Sequence, residues 1–247
     1  HMDRKFFIFI ALTLGALVMV GSASAANVTL NTAGKKATAT LVLSADAKTK
    51  AAAAGLSFGA DGNAYTGSTA GTFVLPITKS VVDVRLFRPI TPVSGEAIGS
   101  ALLASKGTKT LALANFKIDY AKDEIAGDFI YNGQTQNMSL FSFTESTPRT
   151  IKLSGLSLVM NQTLGDVRLT SGATSSLTSA LGSSGALSAF AGANMGTITI
   201  DVSTLSRKAV STKPYTASMM VPEASTYAMM ALGLAGIGFV ARRKARA

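Results

Sequence analysis

The sequence predicts a mainly β protein: an antiparallel β sandwich or β-rich domain with one or two short helices, flanked by an N-terminal signal helix and a C-terminal membrane helix. Three observations predict it. Apolar and polar residues alternate over many short runs between residues 38 and 202, the period of a half-buried strand. Apolar residues make up 47% of the 247 and charged ones 15%, enough to bury a core. Two uncharged runs lie at the ends, outside the alternating region.

The first end opens with His1-Met2, read as a cloning remnant before the initiator. Asp3-Arg4-Lys5 precedes an uncharged run from Phe6 to Val20 and then Gly21-Ser22-Ala23-Ser24-Ala25-Ala26. A basic start, an apolar run and a small-residue exit form a secretory signal peptide. Ala23 and Ala25 fit its small-x-small cleavage rule, so residues 1–25 are assigned as leader and 26–220 as the exported domain.

Within that domain the alternation gives strands at 38–43, 72–77, 81–86, 110–113, 116–120, 125–131, 139–144, 150–153, 156–160, 166–170 and 197–202. Asn132-Gly133 predicts a tight hairpin between two of them. Pro76 suits an edge or a strand end, because it has no amide hydrogen to give. Gly59 to Asn63 reads as a turn. Ala45 to Ala54 reads as a helix capped by Ser44, and Gly172 to Phe190 as helix interrupted at Gly182 and Gly185. Residues 109–118 parallel 149–158, and more loosely the stretch 41–77 mirrors 167–200 as strand, helix, strand.

The chemistry is narrowed by what is missing. There is no cysteine, and the one histidine is His1, so thiolate or imidazole metal sites and histidine-dependent triads are excluded. No catalytic residue, metal or cofactor is therefore expected. Asp119, Asp123, Glu124 and Asp128 cluster around one hairpin. Lys117 and Lys122 interleave them, which makes a solvated, charge-balanced turn the better reading than a glycosidase pair or a calcium loop. The leader carries one net positive charge and residues 221–247 carry three, leaving +6 of the total +10 for residues 26–220. Such a surface suits anionic polysaccharide or lipid headgroups, and nothing in the chain matches a nucleic-acid-binding motif.

The second end is the most specific part. Val221-Pro222-Glu223-Ala224 is followed by an uncharged stretch, with a membrane helix expected over 227–241, and then by Arg242, Arg243, Lys244 and Arg246. The basic cluster stays cytoplasmic by the positive-inside bias, which agrees with export of everything upstream. Residues 221–247 closely resemble the PEP-CTERM sorting signal of Gram-negative bacteria. The resemblance implies recognition at the Pro-Glu pair by an exosortase, an integral-membrane enzyme, and a transient inner-membrane precursor. The family's second proline is Ala224 in this chain. The chain is read as a non-enzymatic surface or matrix protein, and the resemblance further implies that it accompanies exopolysaccharide in biofilms or flocs. Residues 113–143 also resemble secreted β-rich HtaA-like domains, some of which bind haem through tyrosine and histidine. With no native histidine that site does not carry over, and Tyr120 and Tyr131 read as sheet-packing tyrosines. A binding module for a small hydrophobic or tetrapyrrole ligand, and a carbohydrate-active enzyme using carboxylates alone, are the two alternatives.

Overall fold

A computed structural model describes residues 26–85, 88–155 and 157–220. The leader, its cleavage site at Ala23 and Ala25, and the whole tail from Val221 lie outside the described residues, as do Leu86, Phe87 and Leu156, where two of the expected strands end or begin.

The strands are β1 (Ala26–Asn31), β2 (Lys35–Leu43), β3 (Ser57–Gly62), β4 (Tyr65–Thr66), β5 (Thr72–Pro76), β6 (Lys79–Val84) and β7 (Thr91–Lys106). They continue with β8 (Lys109–Asp119), β9 (Glu124–Tyr131), β10 (Gln134–Glu145), β11 (Ile151–Ser154), β12 (Ser157–Leu169) and β13 (Gly196–Ser206). Helices α1 (Ala45–Ala53), α2 (Ser171–Leu181), α3 (Gly185–Ala191) and the single turn α4 (Ala217–Met220) complete the fold. All pairings are antiparallel, in the order β1-β6-β7-β8-β9-β10-β12-β13-β2-β5-β4, with β3 on β7 and β11 on β12.

This is one sheet curled on itself rather than two stacked sheets. Closure comes from strands that change partners. β5 pairs with β2, and after Ile77 and Thr78 the same line of chain continues as β6, which pairs with β7 and β1. The sixteen residues of β7 pair with β6 through their first half and with β3 through their second. The sheet therefore returns to its starting edge and forms a barrel, which removes most exposed edges.

Period-two patterning sends Ala37, Leu41 and Leu43 of β2 and Ile198 and Ile200 of β13 inward, where they are buried. Two expected strand pairs are single strands with a bulge. Residues 110–113 and 116–119 fall in β8, which shifts register around Asn115 (φ 53°), and Tyr120 begins the turn after it. Residues 157–160 and 166–169 fall in β12, which shifts between Leu164 and Val167, and Thr170 caps the helix that follows. Gly59 to Gly62 is strand rather than turn, because it pairs with Ser100 to Leu103 of β7. Pro76 ends β5, and Asn132 and Gly133 both take positive φ in the β9–β10 hairpin. The paralleled segments diverge at matched positions: Asn115 bulges a continuous strand, whereas Gly155 (φ 61°) turns the β11–β12 hairpin.

One end of the barrel is closed by helices. Ser44 caps α1 by accepting from the Ala47 amide, and Thr170 caps α2 through the Ala173 amide. Both helices leave strands that reach the same end, and Leu177, Leu181, Leu187 and Phe190 are buried there. Gly182 (φ 89°) ends α2 as expected, whereas Gly185 is not a break but the first residue of α3, behind its cap Ser184. Gly196 holds this corner: at φ 127° an added Cβ would overlap the Val42 carbonyl. Gly196→Ala is expected to cost about 3 kcal/mol or more, read as a lowered urea midpoint.

Candidate functional site

The inward-facing residues do not meet in the half of the barrel away from the helices. There they surround a cavity of about 660 Å³, within the roughly 300–1,000 Å³ usual for small-molecule sites. Its walls are Leu41, Leu75, Ile77, Val82, Phe116, Ile118, Phe141, Met160, Ile198 and Ile200. A smaller void of about 60 Å³ lies between it and the helices, bounded by Leu43, Phe58, Phe73, Leu177 and Phe190. Val84 both lines the large cavity and is exposed, so the cavity opens at that end of the barrel. Pro92, Ser157 and Thr204, at the ends of their strands, lie in the same lining.

Besides the apolar walls the lining carries polar side chains, among them Thr29, Asn31, Thr32, Ser80, Ser94, Ser203 and Thr204, and one tyrosine. Tyr120 contributes its ring, while its hydroxyl donates to Gln162 Oε1 at 2.7 Å. Gln162, fully buried, donates from Nε2 to Glu145 Oε2 at 3.0 Å, and Arg149 Nε reaches the same oxygen at 3.0 Å. The Arg149 guanidinium sits 4.7 Å over the Tyr120 ring, and Phe143 meets that ring edge-on at 6.2 Å. Burial first, and the Glu145 carboxylate second, hold the Tyr120 hydroxyl well above the usual tyrosine range, with Arg149 opposing. It is thus kept as a neutral donor. The Tyr120 hydroxyl is spent on Gln162 and Tyr131 is absent from the cavity lining, so neither tyrosine presents a free oxygen to a tetrapyrrole iron in the lumen.

The acidic cluster is dispersed by the fold. Asp119 pairs opposite Glu124 at the β8–β9 turn and accepts from the Ala121 amide, with Lys122 3.9 Å away. Asp128 pairs opposite Ala114, five residues farther along β8, about 17 Å at roughly 3.3 Å per residue. Its two oxygens accept from Asn115 Nδ2 and Asn137 Nδ2 at 2.7 and 2.9 Å. Asp123 occupies the turn itself at φ 53°.

Sequence reasoning missed the chain from Arg207 to Met220, which runs as a belt around the barrel wall. Arg207 donates to the carbonyls of Ala33 and Ile77, where β5 becomes β6. Asn63 bonds the backbone of Ser211 on both sides, accepting from its amide and donating to its carbonyl. Asn115 then fixes Tyr215. Its Oδ1 accepts from the Tyr215 and Gly99 amides at 2.8 and 3.0 Å, and its Nδ2 donates to the Tyr215 carbonyl at 2.9 Å. The Tyr215 ring, 2% exposed, packs on Ala101, Ala112, Ala114 and Ile130, and its hydroxyl donates to Asp61 Oδ2 at 2.6 Å. The run of outward-facing alanines was the available signal: small residues on the outer face leave room for a covering segment.

Tyr215 is also held above the ordinary tyrosine range, by burial and then by the Asp61 bond. For both tyrosines the folded value lies above the unfolded value near 10, so the unfolded chain loses the proton first. Their contribution to stability is whole below about pH 10 and declines as pH rises beyond it. Urea midpoints between pH 8 and 11 should therefore fall less steeply in Tyr120→Phe/Tyr215→Phe than in the parent.

The belt ends one residue before the sorting tail. A family model described as the PEP-CTERM protein-sorting motif matches residues 221–244. It covers Val221, Pro222, Glu223 and Ala224 and the first three basic residues, Arg242, Arg243 and Lys244; Arg246 follows it. No curated protein and no solved structure matches the chain. Among the described residues no helix is long and apolar enough to cross a membrane, and the expected membrane helix at 227–241 lies outside them.

Proposed function

We propose that this chain, a PEP-CTERM protein by its sorting motif, is a non-enzymatic exported binding protein that holds a small apolar ligand inside its barrel at the cell surface. The motif itself marks an exported protein with a membrane-anchored precursor, processed by an exosortase at the membrane. The observation that carries the binding reading is the cavity of about 660 Å³: its apolar walls and open end suit a ligand, and a domain built only for scaffolding has no need to leave its core unfilled. The test is titration of the purified domain, residues 26–220, with Nile red. The expected result is saturable enhancement and blue shift at one site per chain. A linear, unsaturable response equal to that of a denatured control would refute it.

A second reading, association with exopolysaccharide in a biofilm or floc matrix, draws on the +6 charge of residues 26–220 and on the sorting tail. It predicts salt-sensitive co-sedimentation of the domain with an anionic polysaccharide. The two readings are compatible, because one uses the lumen and the other the outer surface.

The sorting step has its own expectation. Pro222 biases Val221 toward extended backbone and withholds an amide, which keeps the Pro-Glu pair out of a helix. Glu223→Ala should leave a full-length precursor in the inner membrane, while Ala224→Pro should be processed at least as well as the parent. Fractionation and immunoblotting read both. Glu223→Ala reaching the surface at parental size and level would show that the tail is only an anchor.

A further inference from the structure

Two charged residues line the cavity, Lys35 and Glu96. Their situations differ. Glu96 is neutralised by Lys79 Nζ at 3.1 Å, with Lys117 Nζ at 3.9 Å. Lys35 forms no salt bridge among the described residues. It opens β2 with the same parity as Ala39 and Leu41, which line the cavity with it, and it is only half-buried. Its surroundings add positive potential. Lys36 is next in the chain, and Arg207, whose backbone amide bonds Gly34, spends its guanidinium on two carbonyls rather than on a carboxylate. The lumen therefore has apolar walls and, at the β2 end of the mouth, one uncompensated cation.

We infer that the ligand is a single-chain amphiphile with an anionic head, its chain in the lumen and its carboxylate or phosphate at Lys35. The inference rests on the apolar-cavity reading and adds the head-group chemistry to it. A charge-assisted bond at a partly desolvated mouth is strong enough to give about a tenfold preference for the anion over an uncharged ester. Because the site is near solvent, that preference should shrink as salt rises.

The experiment displaces Nile red from the domain with laurate, dodecyl phosphate and methyl laurate, in the parent and in Lys35→Gln and Lys35→Glu. The expected result is that at least one of the two anions outcompetes methyl laurate about tenfold in the parent. The tighter anion identifies the head group as carboxylate or phosphate. Lys35→Gln should remove the difference, and Lys35→Glu should reverse it, each read as the ratio of anion to methyl laurate affinity within the same variant. Equal affinity for all three competitors in the parent, or a preference that survives in Lys35→Gln, would overturn the assignment of Lys35 while leaving the cavity reading intact. Failure of every competitor and of Nile red would overturn both.

Discussion

Replacing Ala39 by phenylalanine should abolish uptake of apolar probes while leaving the barrel at least as stable as the parent. Ala39 lines the cavity from the middle of β2, opposite Leu75 on one side and Ile200 on the other. A larger side chain in a filled core costs about 1–3 kcal/mol through forced rotamers and backbone shifts. Here the added ring enters open space and removes apolar surface from water, at about 25 cal/mol per Å². The variant should show at least a tenfold loss of Nile red affinity in titration and an unchanged or raised melting temperature. Val202→Phe, from the neighbouring β13, should do the same. A fall in both affinity and melting temperature would mean that the space is packing slack rather than a binding site.

Asn115→Ala should be the most damaging single change in the wall. The side chain makes four hydrogen bonds, three of which hold Gly99 and Tyr215 and the fourth Asp128. Truncation leaves a buried backbone amide and carbonyl of Tyr215 without partners, at about 1–3 kcal/mol for each such group. The positive φ adds a further penalty for alanine that glycine would escape. A loss of about 3–5 kcal/mol is expected, a large share of the 5–15 kcal/mol typical of a whole domain. Asn115→Gly, which relieves only the backbone term, should recover about 1 kcal/mol of it. Urea unfolding gives both values, and proteolysis near residues 207–220 should rise sharply in Asn115→Ala as the belt detaches. A stable Asn115→Ala with a protected belt would contradict the role given to this residue.

Both follow from features that the sequence disclosed unevenly. Strand content was legible because inward and outward residues alternate, as in β2 and β13, and the helices were legible through Ser44 and Gly182. Curling into a barrel was not. It depends on β5 passing into β6 and on β7 dividing its length between two partners, and neither leaves a local mark. β7 itself was missed, since Thr91 to Lys106 mixes Gly95 and Gly99 with runs of alanine and leucine that lack clean alternation. β3 reads as a turn in sequence because Gly59, Asp61 and Gly62 are common turn residues, and pairing with β7 overrides that preference. The sorting tail was the reverse case: a linear motif is read directly by its order, and Pro222, Glu223 and the arginines need no tertiary context. The cavity could not be read at all, because its wall residues, from Leu41 to Ile200, look like any β core until the sheet's curvature decides whether they meet.

The most direct measurement is native mass spectrometry of the mature protein released from the surface of cells that export it, followed by solvent extraction and analysis of what it carried. The account predicts a bound small molecule at about one per chain, apolar over most of its length, present in the parent and missing from Ala39→Phe isolated in the same way. A parent protein that carries nothing and also fails to take up Nile red afterwards would contradict it, and would leave a sorted β-barrel whose work is done by its outer surface alone.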